Sequence, residues 1–438
     1  MILELKIKNF LSFKNEVTLS FEATKDKKLE DYQVVEIAKG IHILKLGVVY
    51  GANASGKSNL LNAFEFLRDF WFDTKESKEE ETNVIPFLLD SETPRLPSVL
   101  KLTFFAGKEK KVRYVYALEI NDKVVLSEKL EFYPGVQPAV IFERRLVENI
   151  SDLTFGPKIK VSQVAKNEIA IKCLTNMSVF AAYNQVNTKI EALQIATDWM
   201  TNQFMPSIEP GTSLLGYSER LAAEDEDAKN KILEFLQKAD INITAIESKK
   251  VKEEITDEFL NKLKVLEIPK TELERLQKER SITQVHTTFE HEVVNEDHSI
   301  SHFSLPVEYQ SDGTKRVFGL SGAILSTIRN DAFLAIDELE SKLHPRMIEF
   351  VLEEFLKQSK HAQLLVTTHY DGLLDEDDLL RKDSVWFTEK QKDASTNLYS
   401  LADFTGVNRL TSIQKAYRFG KFGAIPNIIR TSSSIDWY

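Results

Sequence analysis

The stretch that most constrains this chain is Gly51-Ala52-Asn53-Ala54-Ser55-Gly56-Lys57-Ser58, directly after the apolar run Leu46-Gly47-Val48-Val49-Tyr50. Its spacing, G-x-x-x-x-G-K-[ST], follows a β-type run and precedes a helical one. From Asn59 onward, Leu60, Leu61, Phe64, Leu67 and Phe70 recur near the helical period. The residue types answer one chemistry. Glycines let the backbone wrap a phosphate, and successive N–H groups at a helix start stabilise its charge. Lys57 would reach the β- and γ-phosphates, and the Ser58 hydroxyl would hold Mg²⁺. Gly51, Asn53, Gly56 and Asn59 complete the expected nucleotide cradle, with ATP and Mg²⁺ as cofactors.

A second constellation lies far downstream. Asp331 to Glu338 (DAFLAIDE) is an apolar strand ending in two carboxylates. Behind a phosphate loop, Asp337 is placed to hold Mg²⁺ and Glu338 to deprotonate an attacking water. Gln363 to His369 (QLLVTTH) is another buried strand, ending in a histidine where an α/β sheet presents its ligands. Ser311, Gly313 and Thr314 sit at the expected first turn of a helix carrying Val317, Leu320, Ile324, Leu325 and Ile328, an anion site or a plain cap. His344, before Pro345, is expected to cap the next helix.

The order of GANASGKS, SDGTK, FLAIDE, ESKLHP and VTTHY resembles the ABC-type ATPase heads of the RecF and SMC kind. It is more closely similar to the AAA-fifteen group of prokaryotic ATPases, many of them in anti-phage or abortive-infection systems. The opening IKNFLSF and the ending YRFGKFGAIP share that resemblance. It implies an ABC-ATPase head with two ATP molecules held between protomers of a head-to-tail homodimer or higher oligomer. It makes Ser311, Gly313 and Thr314 the signature loop facing the partner's ATP, Glu338 the catalytic base, and His369 the switch histidine. Glu340–Leu343 becomes the loop exchanged across the interface. The signature reads SDGTK, unlike a transporter subunit. The glutamine between phosphate loop and signature has two candidates, Gln137 and Gln185.

The fold class expected is α/β, a P-loop sheet plus an antiparallel β lobe with an inserted helical subdomain. Residues 1–185 form the first lobe, 186–280 the helical insertion and 281–438 the second lobe. The first ten residues alternate as a strand, paired in a hairpin with Val17, Leu19 and Phe21. A meander is expected in VLKLTFF, VRYVYALEI, VVLSEKLEFY, AVIFERR and IAIKCL. Helical runs fall at Ile190–Phe204, Ala228–Ala239 and Asp257–Leu266, and strands return at Ile282–Val293 and Phe303–Val307.

A net charge of −11 argues against nucleic-acid binding through bulk electrostatics. The lone Cys173 excludes an internal disulfide, and no apolar run approaches the ~20 residues of a membrane span, so a soluble cytoplasmic protein with no membrane partner is expected. The acidic runs Glu224–Asp227 and Asp375–Asp378 read as a helix start and a solvated loop. About 70 residues follow His369, too few for an appended nuclease of usual size. The expected function is therefore an ATP-driven dimeric sensor or regulator of a prokaryotic defence system, acting through a separate effector. The other reading is a RecF- or SMC-like ATPase of DNA repair, with nucleic acid gripped through Lys249, Lys250, Lys252 and the Lys278–Arg280 stretch. A small GTPase is disfavoured because no N-K-x-D element is present.

Overall fold

The computed structural model describes residues 1–256, 258, 260 and 270–426. The helix expected at Asp257–Leu266 falls largely outside them. The chain divides into two compact units.

The first unit spans Met1–Pro210, Thr327–Ser341 and Ile348–Tyr438. It opens with β1 (Ile2–Lys8) and β2 (Val17–Ser20), passes through a hairpin of β3 (Val34–Ala38) and β4 (Ile41–Leu44), and reaches β5 (Leu46–Gly51) and helix α1 (Lys57–Phe72). A meander follows: β6 (Ser98–Ala106), β7 (Val112–Ile120), β8 (Val125–Tyr133), β9 (Ala139–Val147) and β10 (Ile150–Phe155). β1 pairs with both β2 and β6, so the opening hairpin and the meander form one seven-stranded antiparallel sheet in the order β10-β9-β8-β7-β6-β1-β2. The fifth meander strand is ISDLTF, not IAIKCL. Most of the latter lies in the helix Gln163–Lys172, where Ser162 caps the Ala165 N–H and Ala165 and Ile169 are buried one helical turn apart.

The second sheet of this unit is assembled from distant parts of the chain. β14 (Phe333–Ile336), β15 (Gln363–Thr367), β5 and β16 (Val385–Lys390) run parallel in that order, and β17 (Thr396–Ser400) closes the edge antiparallel to β16. β5 is buried at all six positions, as a strand flanked on both edges and covered on both faces must be. The apolar stripe of α1 (Leu60, Leu61, Phe64, Leu67, Phe70) is wholly buried. Its Phe64 lies 4.8 Å from Phe333 of β14. Trp71 lies 5.3 Å from Phe204, and Trp199 stacks on Phe104 of β6 at 4.1 Å. One aromatic core thus ties α1 to both sheets. Trp199 belongs to α2 (Glu191–Asn202), which makes that helix part of this unit's core and not of an insertion.

The second unit spans Gly211–Ser326 and Lys342–Met347. It holds α3 (Leu215–Glu224), α4 (Glu226–Lys238), β11 (Ala245–Glu254), α5 (Lys270–Glu279), β12 (Ser281–Val294), β13 (Ile300–Pro306) and most of α6 (Asp312–Arg329). β11, β12 and β13 form an antiparallel sheet, and Phe289 of β12 meets Phe318 of α6 edge-on at 5.1 Å. The insertion therefore mixes helix and sheet, begins at 211 rather than 186, and ends well past 280. Four consecutive residues of the ten-residue β11, Lys249 to Lys252, are exposed and three of them are lysines, which hid its strand period. Asp225 caps α4 by accepting from the Ala228 N–H at 2.9 Å, the structural role expected of that acidic run.

Candidate functional site

β5 delivers the chain to the phosphate loop, and α1 begins at Lys57. The loop turns through two left-handed residues, Ala54 at φ 59° and Gly56 at φ 106°. A Cβ at Gly51 would stand 2.3 Å from Thr388 Oγ1, and one at Gly56 would stand 2.3 Å from Thr396 Oγ1. Only glycine fits at either place. Hydroxyls brace the loop from behind: Ser55 Oγ lies 2.7 Å from Thr388 Oγ1, and Thr396 Oγ1 donates to the Ser55 carbonyl at 2.9 Å. Lys57 Nζ, nearly buried, donates to the carbonyls of Gly51 at 3.0 Å and Ala52 at 3.2 Å. Burial lowers its pKa, and the carboxylates of Asp337, Glu338 and Glu340 oppose that shift.

The carboxylates arrive from the C-terminal end of β14. Ser58 Oγ donates to Asp337 Oδ2 at 2.6 Å. The Thr367 hydroxyl donates to Asp337 Oδ1 and accepts the Glu338 N–H at 2.8 Å. Glu338 stands at φ 46°, an uncommon conformation for a residue with a side chain. One threonine therefore sets the position of both carboxylate residues. The His369 N–H donates to Glu340 Oε1 at 2.6 Å. Burial, and then the Lys57 charge, lower the imidazole pKa of His369, while Glu340, Glu338 and Asp337 pull it back up. A lowered pKa keeps that ring neutral at neutral pH.

Asn53, Gly56, Lys57, Ser58, Asn59, Glu338 and His369 line one cleft of about 640 Å³. Gly51 and Asp337 do not line it. The donor set suits a Mg²⁺-nucleotide: a hydroxyl and a carboxylate already within hydrogen-bond distance, a cation folded over the loop, and a cradle too tight for any Cβ. Neither Gln137 nor Gln185 lines the cleft; both are exposed elsewhere.

Ser311, Gly313 and Thr314 lie in the second unit. There Ser311 Oγ accepts the Thr314 N–H at 3.1 Å, so the serine caps an 18-residue helix whose first turn is open to solvent. Lys342 Nζ reaches Asp312 at 3.2 Å. His344 Nδ1 accepts the Arg346 N–H at 3.3 Å and caps the helix starting at Pro345, as expected. Asp375 accepts from Ser412 and Gln414, Asp377 pairs with Lys28 at 2.6 Å, and no cluster of metal-ligating side chains occurs among the described residues. Sequence reasoning missed Thr367, Thr388 and Thr396.

A phosphate loop on a parallel sheet, with carboxylates at the end of a neighbouring strand, defines a P-loop ATPase. Residues 46–375 match the family AAA_21, described as "AAA domain, putative AbiEii toxin, Type IV TA system", and the chain belongs to it. The resemblance read from the motifs thus holds for the class of ATPase. No curated protein matches. Among solved structures, the SMC head domain from Thermotoga maritima is 12% identical, with 91% of this chain and 98% of that one covered at a TM-score of 0.41. An SmcHead bound to the C-winged helix domain of ScpA is 14% identical, covering 95% and 99%, at 0.46. A Pyrococcus furiosus Smc head with an extended coiled coil, bound to the C-terminal domain of ScpA, is 14% identical, covering 96% and 98%, at 0.36. No helix among the described residues is long and apolar enough to cross a membrane.

Proposed function

We propose that this ATPase is the nucleotide-driven switch of a prokaryotic defence system, working in the cytoplasm as a homodimer and acting through a separate effector protein. The observation that carries the switch is the coupling of Ser58, Asp337, Thr367 and Glu338 in one hydrogen-bonded chain at the cleft. Ser58 and Asp337 would hold Mg²⁺, which when bound neutralises charge on the phosphates. Lys57 would bind the β- and γ-phosphates. Glu338 accepts a proton from water in this reading, and neutral His369 steadies the departing phosphate. Ser311, Gly313 and Thr314 would bind the partner protomer's nucleotide, a role supported by their place at an exposed helix N-terminus. Nucleotide that favours the closed pair supplies the switching energy. The family's description supports the defence setting. A DNA-gripping role is weakened because Lys249 and Lys250 are paired with Glu247 at 2.5 Å and Glu224 at 2.8 Å.

The test is Glu338→Gln with MgATP. Binding should persist while turnover falls about 10²- to 10⁴-fold, the range for losing a general base, and light scattering should show a dimer. Turnover at the wild-type rate would remove Glu338 from the base role. A monomer at saturating ATP would remove the dimer.

A further inference from the structure

The cleft has a second half of different chemistry. Beside the phosphate loop it is walled by Leu11, Ile85, Pro86, Leu88 and Leu89. Ile85, Leu88 and Leu89 are 48%, 60% and 67% exposed, an apolar surface with no protein covering it. They are not loose. Val84, just before them in sequence, and Phe87, between Ile85 and Leu88, are 4% and 1% exposed and anchor the segment in the core. Buried Asn9 ties the same segment down: its Oδ1 accepts the Phe87 N–H at 3.1 Å, and its Nδ2 donates to the carbonyls of Thr93 and Leu96, each at 2.8 Å. Leu11 donates its N–H to the Ile85 carbonyl at 2.9 Å from a left-handed backbone at φ 49°. A leucine there is costly unless the fold enforces it. The opening IKNFLSF therefore builds a rigid shelf, with Asn9 as its pin and Leu11 as its edge.

An apolar shelf continuous with a phosphate loop matches a ligand that is apolar and planar at one end and anionic at the other. We propose that Leu11, Ile85, Leu88 and Leu89 form the base subsite, clamping the purine of the nucleotide between aliphatic side chains. The inference rests on the nucleotide reading of the phosphate loop and adds the half of the ligand that loop does not touch. None of the four side chains carries a polar atom, so the clamp holds the base through its faces. Affinity for the purine then comes from buried apolar area.

The test compares ATP with inorganic tripolyphosphate, both as Mg²⁺ complexes, by calorimetry on the full chain. The variants are the double change Leu88→Ser with Leu89→Ser, and separately Ile85→Ser. All three residues are solvent-facing, so the fold is retained. ATP affinity should fall about tenfold in each while tripolyphosphate affinity stays within about twofold. Unchanged ATP affinity in both variants would overturn the clamp. Equal losses for both ligands would also overturn it, because the segment would then be shaping the phosphate site. Lys57→Ala separates the two readings: if it binds tripolyphosphate as the wild type does, the phosphate-loop assignment fails and the clamp falls with it.

Discussion

Two of the cations that the first unit buries, Arg144 and Lys57, are held in opposite ways. Arg144 on β9 is wholly inaccessible and held through both terminal nitrogens: Nη1 reaches Glu128 at 3.3 Å and the Met177 carbonyl at 2.5 Å, and Nη2 reaches the Leu174 carbonyl at 2.8 Å. Glu128 in turn accepts from the Tyr116 hydroxyl and the Val179 N–H, each at 3.0 Å. Burial pushes the Glu128 carboxyl up, and the guanidinium beside it opposes that shift. Lys57 on α1 is nearly as buried but leans only on backbone carbonyls, with the nearby carboxylates acting through space. One cation touches a buried carboxylate; the other touches none. Burial alone does not separate structure from function. Within this pair, direct contact with a carboxylate does.

Breaking the structural cation should produce the largest effect. Arg144→Leu leaves Glu128 buried and unpaired and should cost about 3–5 kcal/mol of stability by chemical denaturation, whereas changing Glu128 to Leu as well should recover much of that loss. A single-variant cost below about 1 kcal/mol would erase the contrast. Lys57→Ala should leave the denaturation midpoint nearly unchanged and weaken MgATP binding by about 1.5–3 kcal/mol, about ten- to a hundredfold. A large stability loss there would mean that Lys57, too, belongs to the fold. The finest test is Thr367→Val, which keeps the shape and removes the hydroxyl. Turnover should drop about tenfold with KM little changed, and Thr367→Ser should restore it. A KM change without a rate change, or no rescue by serine, would reduce Thr367 to packing.

The phosphate loop, the Asp337–Glu338 strand and the α1 stripe were legible because each needs particular residue types at fixed spacing. The three bracing threonines were not. A threonine in a strand satisfies β-propensity whether or not its hydroxyl has work to do, and only the closed sheet shows that Thr367, Thr388 and Thr396 face the loop or its carboxylates. IAIKCL misled because Ile169, Ile171 and Cys173 alternate while Ala165 and Ile169 also fit a helical turn. The insertion was misplaced for a related reason. Nothing in the composition of α2 reveals that Trp199 stacks on Phe104 in the core of the first unit.

The order in which strands are joined has a consequence during synthesis. All seven strands of the antiparallel sheet lie within residues 2–155, so that sheet has every partner early. Strand β5 pairs only with residues 364–367 and 385–388, more than 300 positions downstream. At about 5–20 residues per second, the ribosome leaves it unpaired for on the order of 15–70 s. A strand apolar on both faces and bare on both edges is then a natural chaperone client, so the sheet that carries the phosphate loop closes late in translation, well after the antiparallel sheet has all its strands.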